Sequence, residues 1–401
     1  MEITKSELCT GCHACFSVCP RHCITMQPNG EGFSYPIVDG SLCIECHRCQ
    51  KVCPVNQSSK AENNGIHKAF AVSSKDACEK RNSSSGGIFS LLCRQVLQEG
   101  GVVVGAAFDE SYRSVRHRIV SSYDEIGILR GAKYSQSDIG DCFIQIKELL
   151  RSHQKVLFVG TPCQTEGLVS FLGGKSDDLL LVDMICHGVP SPLVWRTYLN
   201  ARVRQYGTEP IFVSFRDKSL GWKMYSVKMY FANGKHYQAT HYEDLFMRGF
   251  IYKDLYLRES CYACSFKKEN RVADLTLGDL WGAGRFCPDW DDDSGLSMIL
   301  VHSDKGMTAL EKVFEDADGR EIDFDEAVKA NPAVTASARR PSERDAFFAE
   351  LEKADMIKLL KRYCGLTFLR KVKHRIKKHK IKRTYRYHLL QNRNNHKEVL
   401  Q

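Results

Sequence analysis

The chain has 401 residues, 43% of them hydrophobic, with 18 cysteines and a net charge of +9, which predicts two or three domains with a large buried core. No stretch approaches the roughly 18 apolar residues of a membrane-spanning helix, and the first residues lack the apolar core of a secretion signal, so a cytoplasmic location is expected. In that reducing compartment, cysteines are expected to bind metal or carry redox chemistry, and not to form disulfides.

The first 60 residues contain two cysteine runs of identical spacing. Cys9, Cys12, Cys15 and Cys19 precede Pro20, and Cys43, Cys46, Cys49 and Cys53 precede Pro54. This C-x2-C-x2-C-x3-C-P spacing is typical of bacterial two-cluster ferredoxins, in which three thiolates of a run bind one iron–sulfur cube and the fourth binds the other. We therefore predict two [4Fe-4S] clusters. One is assigned to Cys9, Cys12, Cys15 and Cys53, and the other to Cys43, Cys46, Cys49 and Cys19.

A pair of structural zinc sites is the alternative for these eight thiols. Zinc usually takes its four ligands in two pairs, and not in two runs of four that each end in proline, so the iron–sulfur interpretation is favoured. Cys23 lies just outside the pattern and is predicted to be a small core residue.

After a polar linker at residues 57–66, strands and helices alternate. Strands are predicted at 68–73, 102–108, 156–159 and 179–185, and helices at 88–98 and 142–152. Two further strands, 211–215 and 225–231, precede Asn233-Gly234, which is typical of a hairpin turn. This alternation predicts an α+β or α/β fold, in which a small ferredoxin-like two-cluster module precedes a mixed α/β body and a helical, basic C-terminal tail.

Four further cysteines lie where loops are predicted. Cys163 and Cys186 each follow a strand, while Cys261 and Cys264 form a C-x2-C pair. Because the loops after neighbouring strands meet at one edge of an open α/β sheet, these four thiolates are candidates for a third [4Fe-4S] cluster. The alternative is a set of unrelated buried thiols together with a C-x2-C redox pair.

Five short segments of the body occur in the same order as in one protein family. They are 83–88 (Ser-Ser-Ser-Gly-Gly-Ile), 131–137 (Gly-Ala-Lys-Tyr-Ser-Gln-Ser), 160–164 (Gly-Thr-Pro-Cys-Gln), 186–191 (Cys-His-Gly-Val-Pro-Ser) and 275–282 (Leu-Thr-Leu-Gly-Asp-Leu-Trp-Gly). In these segments the chain resembles the beta subunit of coenzyme F-420 hydrogenase/dehydrogenase. The resemblance divides the chain into a ferredoxin domain at 1–60, two parts of the beta-like domain at 67–150 and 151–330, and an uncovered tail at 331–401.

The resemblance implies a flavoprotein that holds FAD beside an iron–sulfur cluster, and it supports the third cluster. The flavin-pocket candidates that it implies are Ser84, Ser85, Gly86, Gly87, Lys133, Tyr134, Thr161 and Pro162. A Ser/Gly loop that opens a helix offers backbone N–H groups and a positive dipole end to a pyrophosphate. Lys133 could place a positive charge near the flavin N1. Asp279 and Trp281 are further candidates for the pocket lining.

His187, in the fourth of these segments, is the candidate catalytic residue. It is expected to donate a proton, because the ordinary pKa of histidine lies near neutrality. The alternative is that His187 only caps the loop after its strand.

The C-terminal tail is strongly basic. Residues 356–401 contain 15 Lys or Arg and one acid, so this segment carries about +14 and the rest of the chain about −5. In residues 368–386 the basic side chains alternate with apolar ones at helical spacing, as in helices that bind an anionic membrane surface, here the inner face of the membrane. An acidic partner, a solvated tail and, less favoured, nucleic acid are the alternatives.

These observations predict an iron–sulfur flavoprotein oxidoreductase. A reduced ferredoxin or another one-electron donor would supply the clusters, and FAD would exchange a hydride with an organic substrate, in either direction. The alternative is a non-catalytic relay that passes electrons to a partner subunit of a larger redox complex. The substrate is not readable from the sequence, and the deazaflavin coenzyme is not assumed to be it.

Overall fold

The computed structural model describes residues 1–57 and 66–366, in which a small cysteine-rich module packs on a larger mixed α/β body. The strands are β1 Ile24–Pro28, β2 Ser34–Val38, β3 Lys68–Ser74, β4 Val102–Phe108, β5 Val115–Val120, β6 Ser137–Asp138, β7 Val156–Gly160, β8 Leu179–Met184, β9 Pro210–Asp217, β10 Ser226–Phe231, β11 His236–Thr240, β12 Leu275–Asp279, β13 Ser297–Val301 and β14 Ala317–Ile322.

Helices lie between these strands and after the last of them. They are α1 Ala14–Val18, α2 Arg48–Lys51, α3 Ala77–Asn82, α4 Ile88–Gln98, α5 Cys142–Arg151, α6 Pro162–Leu172, α7 Pro192–Tyr206, α8 Leu245–Met247, α9 Ala283–Phe286, α10 Asp304–Val313, α11 Phe324–Ala330, α12 Arg344–Leu351 and α13 Met356–Cys364. Short 3-10 segments lie at Ser6–Leu8, Tyr123–Ile128, Glu259–Ala263, Pro288–Trp290 and Pro332–Val334, and a π segment at Arg248–Tyr252.

Within the described residues, nine strands form the central sheet of the body in the order β14-β3-β13-β12-β8-β7-β4-β5-β6. At its centre β12, β8, β7 and β4 are parallel to one another. β13, β3 and β14 on one side, and β5 on the other, each run antiparallel to the neighbouring strand nearer the centre, while the edge strand β6 runs parallel to β5. Parallel strands are covered on both faces, which explains why residues 156–159 of β7 and 179–182 of β8 are continuously apolar.

The two faces of this sheet belong to different cores. In β7, Leu157 and Val159 pack in the core that includes α4 and α10, while Val156 and Phe158 pack in the core that includes α5 and α6. The cysteine-rich module closes this second core, where α1 packs against α6. A Cβ on Gly167 of α6 would lie 2.9 Å from the Sγ of Cys12, so module and body are in close contact.

A smaller antiparallel sheet, β11-β10-β9, packs with α7, α8, α12 and α13 around a third core rich in aromatic side chains. Its β10–β11 hairpin turns at Asn233 and Gly234. Gly234 has φ 80°, a left-handed conformation that glycine adopts without strain, and it donates its N–H to the carbonyl of Phe231.

The predicted fold class is confirmed. Val102–Phe108 and Ile88–Gln98 have the predicted bounds, and the predicted hairpin is present. The predicted basic helix at 368–386 lies outside the described residues, as does most of the linker. No helix in the described part of the chain is long and apolar enough to span a membrane.

Candidate redox site

The cysteines of the two runs separate into two groups in space. Cys9, Cys12, Cys15 and Cys53, here called the inner set, line one small cavity, while Cys19, Cys43, Cys46 and Cys49, the outer set, line another. Cys53 is close enough to Cys12 and Cys15 to raise the pKa of both thiols. Cys19 is likewise close enough to raise the pKa of Cys49. Each group therefore combines three cysteines of one run with the fourth of the other, as the predicted crossover requires.

The electrostatics of the inner set suit a cationic guest. Burial, together with the neighbouring Cys53 and Cys9, raises the pKa of the Cys12 thiol to about 12. Burial also raises the pKa of Cys53. Four thiolates this close together need positive charge between them, which the irons of a cube would supply.

The backbone of each run has the same left-handed turns. Gly11 and His13 have φ of 67° and 68°, and Glu45 and His47 have φ of 52° and 56°. Alternation of left- and right-handed conformations turns successive N–H groups inward, an arrangement found around iron–sulfur clusters. The two runs therefore share the same local backbone geometry around their cysteines.

The two sets differ in exposure. All four inner cysteines are at most 9% exposed, whereas Cys46 of the outer set is exposed and Cys43 is half-buried. Cys23 is buried with its Sγ 3.4 Å from the Sγ of Cys19, in keeping with the prediction of a core residue. The outer set is therefore the one that opens to solvent.

The four body cysteines that were candidates for a third cluster also come together. Cys163 begins α6 after β7, Cys186 follows β8, and Cys261 and Cys264 lie at the segment Glu259–Ala263, which a bridge between Pro190 and Leu257 brings alongside. We call these four cysteines the third set. Burial raises the pKa of Cys163 well above its ordinary value, and Cys264, Cys186 and Cys261 add to the rise.

In the described residues, no three His, Cys, Asp or Glu side chains form a group that could hold a single metal ion. In an iron–sulfur cube each thiolate binds a different iron. The four thiols of one cluster therefore surround a common space and do not converge on a single ion.

A cavity of about 890 Å³ lies beside the inner and third sets, between the main sheet and the smaller sheet. This volume lies within the range typical of cofactor sites. Of the predicted site residues, the structure brings the following to the cavity wall: Ser84, Ser85, Gly87, Lys133, Tyr134, Thr161, Cys163, Cys186, His187, Asp279 and Trp281. Thr10, which follows Cys9, lines the same cavity.

Gly86 and Pro162 do not line the cavity. Gly86 packs behind the loop, where its N–H donates to the Ser297 hydroxyl at 2.9 Å and a Cβ would lie 2.6 Å from the carbonyl oxygen of Val72. Pro162 is buried in the first turn of α6. Gly87 has φ 94° at the start of α4, so the loop needs a glycine there.

Lys133 is a cation on the cavity wall. Its Nζ donates to the carbonyls of Leu129 and Arg130 at 2.7 and 2.8 Å, and no described carboxylate pairs with it. Burial lowers the pKa of Lys133 to about 7. Next to it, Tyr134 packs between the rings of Phe215 and Phe250. An anionic group in the cavity would therefore raise the charged fraction of Lys133.

His187 is held in place by a carboxylate. Its Nε2 lies 2.6 Å from Oδ1 of Asp254, and its ring meets that of Phe250 edge-on at 5.3 Å. The carboxylate accepts a hydrogen bond from the facing nitrogen, so it fixes the orientation of the imidazole at the cavity wall.

Asp279 anchors the wall and is not free to act as an acid. Its carboxylate accepts 2.8 Å hydrogen bonds from Arg216 and from the indole of Trp222. Trp222 in turn stacks on Trp281 at 5.1 Å with nearly parallel rings. The motif at 275–282 therefore builds a stiff aromatic wall.

Three buried polar side chains at the cavity were not predicted. Thr10, Ser135 and His117 all line the cavity. Among the described residues the Ser135 hydroxyl lacks a hydrogen-bond partner, whereas the Thr10 hydroxyl meets the Cys12 thiol and the His117 ring meets the backbone of Val159. Burial lowers the pKa of His117 to about 4, so the ring is neutral. The signal available in the sequence was the position of His117 in β5. It lies two residues after Val115, so both side chains fall on the same, buried face of the strand. Unpartnered polar atoms at a cavity indicate a polar guest.

Comparison with known proteins identifies two domains. Residues 153–326 match the family model for the C-terminal region of the coenzyme F420 hydrogenase/dehydrogenase beta subunit, and residues 8–57 match the 4Fe-4S dicluster domain. The chain is therefore similar to the 4Fe-4S dicluster domain in its first part and to the C-terminal region of the F420 hydrogenase/dehydrogenase beta subunit in its body. The predicted resemblance is confirmed, and the dicluster domain makes the chain an iron–sulfur electron-transfer protein. The beta-subunit match includes the third set and His187. It begins at residue 153, so residues 84–87 and Lys133 lie outside it.

A solved structure similar to this chain belongs to the xenon-derivatised F420-reducing [NiFe] hydrogenase complex from Methanosarcina barkeri. The two are 15% identical with a TM-score of 0.45, and the likeness covers 66% of this chain and 89% of that one. The comparison with curated proteins gives no match.

Proposed function

We propose that the chain is an iron–sulfur flavoprotein oxidoreductase that passes electrons between its clusters and FAD and exchanges a hydride with an organic substrate. The observation that carries the proposal is a single cavity bordered by Thr10 beside Cys9, by Cys163 and Cys186, and by the cation of Lys133. One-electron carriers next to a flavin pocket are what conversion between single electrons and hydride requires.

The three cysteine sets are assigned as cluster ligands. The inner and outer sets would each hold one [4Fe-4S] cube, and the third set another. Cys46 is exposed, and the side chains of Leu42 and Ile44 beside it are 46% and 60% exposed. This apolar surface suits a reduced ferredoxin, another one-electron donor or a redox partner subunit, so electrons would enter at the outer set and move inward.

The cavity residues suit FAD. When bound, FAD supplies the pairing of single electrons into a hydride. The N-terminus of α4, behind Ser84 and Ser85, would face its pyrophosphate, and Lys133 would balance negative charge on the flavin ring. The unpartnered hydroxyl of Ser135, which lines the cavity, would gain a hydrogen bond from a polar edge of the cofactor.

His187 and Asp254 would manage the proton that accompanies hydride transfer. The carboxylate orients the imidazole and keeps a proton at Nε2, beside the cavity. Phe250 and the stacked Trp222 and Trp281 surround the site with apolar surface, which excludes water from the reacting groups.

Protein purified without oxygen tests the proposal through its iron and flavin content. We expect about 12 irons and one flavin per chain. Cys163→Ser, in the third set, should lose about four of these irons. Cys93→Ser is the matched control, because Cys93 is a buried cysteine on the core-facing side of α4 and belongs to none of the three sets.

About eight irons, no flavin and no effect of Cys163→Ser would contradict the proposal and leave a two-cluster relay. The relay alternative is also distinguished by reoxidation. In an oxidoreductase, a substrate restores the oxidised flavin spectrum of the isolated chain, whereas a relay needs its partner subunit. Candidate substrates, the deazaflavin coenzyme among them, are compared in the same assay.

A further inference from the structure

Arg258 lies between the cysteine module and the body, and its guanidinium is fully buried. Nε donates to the carbonyl of Cys9 at 2.6 Å, Nη1 to the side-chain oxygen of Gln136 at 2.9 Å, and Nη2 to the carbonyl of Ser34 at 3.1 Å. Nη2 also lies 3.6 Å from the Sγ of Cys9. The ring of Tyr35 covers the guanidinium at 4.2 Å. The charge is thus held against a predicted cluster ligand.

In the described residues, no carboxylate forms an ion pair with Arg258. Three other buried arginines contrast with it: Arg216 contacts Asp279, Arg271 contacts Asp183, and Arg344 contacts Glu31. A buried charge without a counter-ion costs several kcal/mol, on the order of a whole protein's margin of stability. Arginine cannot avoid this cost by losing its proton.

An iron–sulfur cube on four thiolates carries a net negative charge, which reduction increases. We propose that Arg258 is the counter-ion of the cluster on the inner set and a positioning residue that raises its reduction potential. The proposal rests on the assignment of Cys9, Cys12, Cys15 and Cys53 to one cube. Reduction here adds one electron from the one-electron donor to the cube, and no bond forms or breaks. The fixed cation lowers the free energy of the reduced state more than that of the oxidised state.

The backbone of Arg258 links this cluster to the third set. The carbonyl of Arg258 accepts a hydrogen bond from the N–H of Cys261 at 2.9 Å, and the N–H of Arg258 donates to Val189 at 3.0 Å. One residue therefore contacts Cys9 through its side chain and Cys261 through its main chain. It fixes the separation of the two cysteine sets and favours electron flow towards the inner cluster over retention at the outer one.

A redox titration of the full-length protein, followed by electron paramagnetic resonance, tests the inference. At a fixed applied potential, Arg258→Gln should lower the reduced-to-oxidised ratio of one cluster at least tenfold, about 59 mV for one electron. The other ferredoxin-type cluster should not change. Cys46→Ser, which alters the outer set, identifies the signal of that set.

Arg344→Gln is the matched control, because it removes a buried arginine from the same module–body interface without contacting a cysteine. It should change either ratio by less than threefold. Equal shifts in both variants, or no shift in Arg258→Gln with full iron content, would overturn the inference. The iron content of the unaltered protein tests the cluster assignment separately.

If Arg258→Gln does not retain iron, Arg258→Lys decides. This variant keeps the positive charge and loses the planar fork, so the ratio should stay within threefold of that of the unaltered protein. A tenfold fall despite the retained charge would show that charge is not what sets the potential, and would refute the proposal.

Discussion

The Cys9–Cys15 run and the Cys43–Cys49 run have the same spacing and the same left-handed turns, but different surroundings. In the first, a Cβ on Gly11 would lie 2.9 Å from both Arg258 and Gln136 of the body. In the second, Glu45 occupies the equivalent position and is exposed. Spacing and backbone therefore set the local cluster geometry, while the neighbouring surface decides which site faces the body and which faces a partner.

The histidines of the two runs show the same contrast. His13 is buried, with Nε2 3.2 Å from Asp138 of the body. His47 is exposed and contacts Gln50 within the module at 3.0 Å. The inner site is therefore part of the body's packing, and the outer site is independent of it.

The largest difference between the sites is expected when one ligand of each is removed. Cys12→Ser and Cys46→Ser should each lose about half of the iron held by the module. Only Cys12→Ser should also loosen the interface with α6, because its Sγ packs on Gly167. We expect it to lower the free energy of unfolding by about 3 kcal/mol more than Cys46→Ser does. Anaerobic urea unfolding with iron analysis measures both, and equal losses would remove the proposed difference.

The next difference in stability between the two sites is expected when the residue at the left-handed turn is changed to alanine. Gly11→Ala combines left-handed strain with a clash against Arg258, so the free energy of unfolding should fall by about 2–3 kcal/mol. Glu45→Ala replaces one exposed left-handed residue with another and should change it by less than about 0.5 kcal/mol. Circular dichroism during denaturation is the measurement. A Gly11→Ala protein as stable as Glu45→Ala would argue against tight packing at the inner site.

A smaller effect is expected at the ion pair that fastens the module to the body. Glu31 accepts two hydrogen bonds from the buried Arg344 at 2.6 and 2.5 Å. Glu31→Gln should lower the free energy of unfolding by about 1–2 kcal/mol, because Arg344 keeps Glu259 as a partner at 3.3 Å. Glu321→Gln breaks the exposed pair with Lys68 and serves as control, with an expected change of less than about 0.5 kcal/mol.

A pH-dependent effect extends the comparison from the inner set into the cavity beside it. Burial lowers the pKa of Lys133 to about 7 in the folded protein, below its ordinary value of 10.5. Between these two values the unfolded chain binds more protons, so the flavin-free protein should gain stability as the pH rises from about 7 to about 10.5. Lys133→Met should lack this gain. Urea midpoints across that pH range measure it, and parallel curves for both proteins would contradict it.

Local patterns predicted much of the fold. The spacing of apolar residues predicted the helix Ile88–Gln98 and the strand Val102–Phe108 with the bounds that the structure has. Asn233-Gly234 forms the expected hairpin turn. The antiparallel strands β13 and β14, which flank β3, were not predicted, because strand order depends on pairing between residues over 200 positions apart.

The same division applies to the candidate site. The sequence by itself determined the cysteine runs and the family resemblance, because these depend on spacing and residue type, and through the resemblance it named several of the residues that line the cavity. Only the tertiary structure decided that Thr10 borders the cavity, that His117 is buried at its wall, and that Arg258 reaches Cys9 across 249 positions. Burial and unpaired charge are properties of the packed chain, since they arise only when distant segments exclude water from the same space.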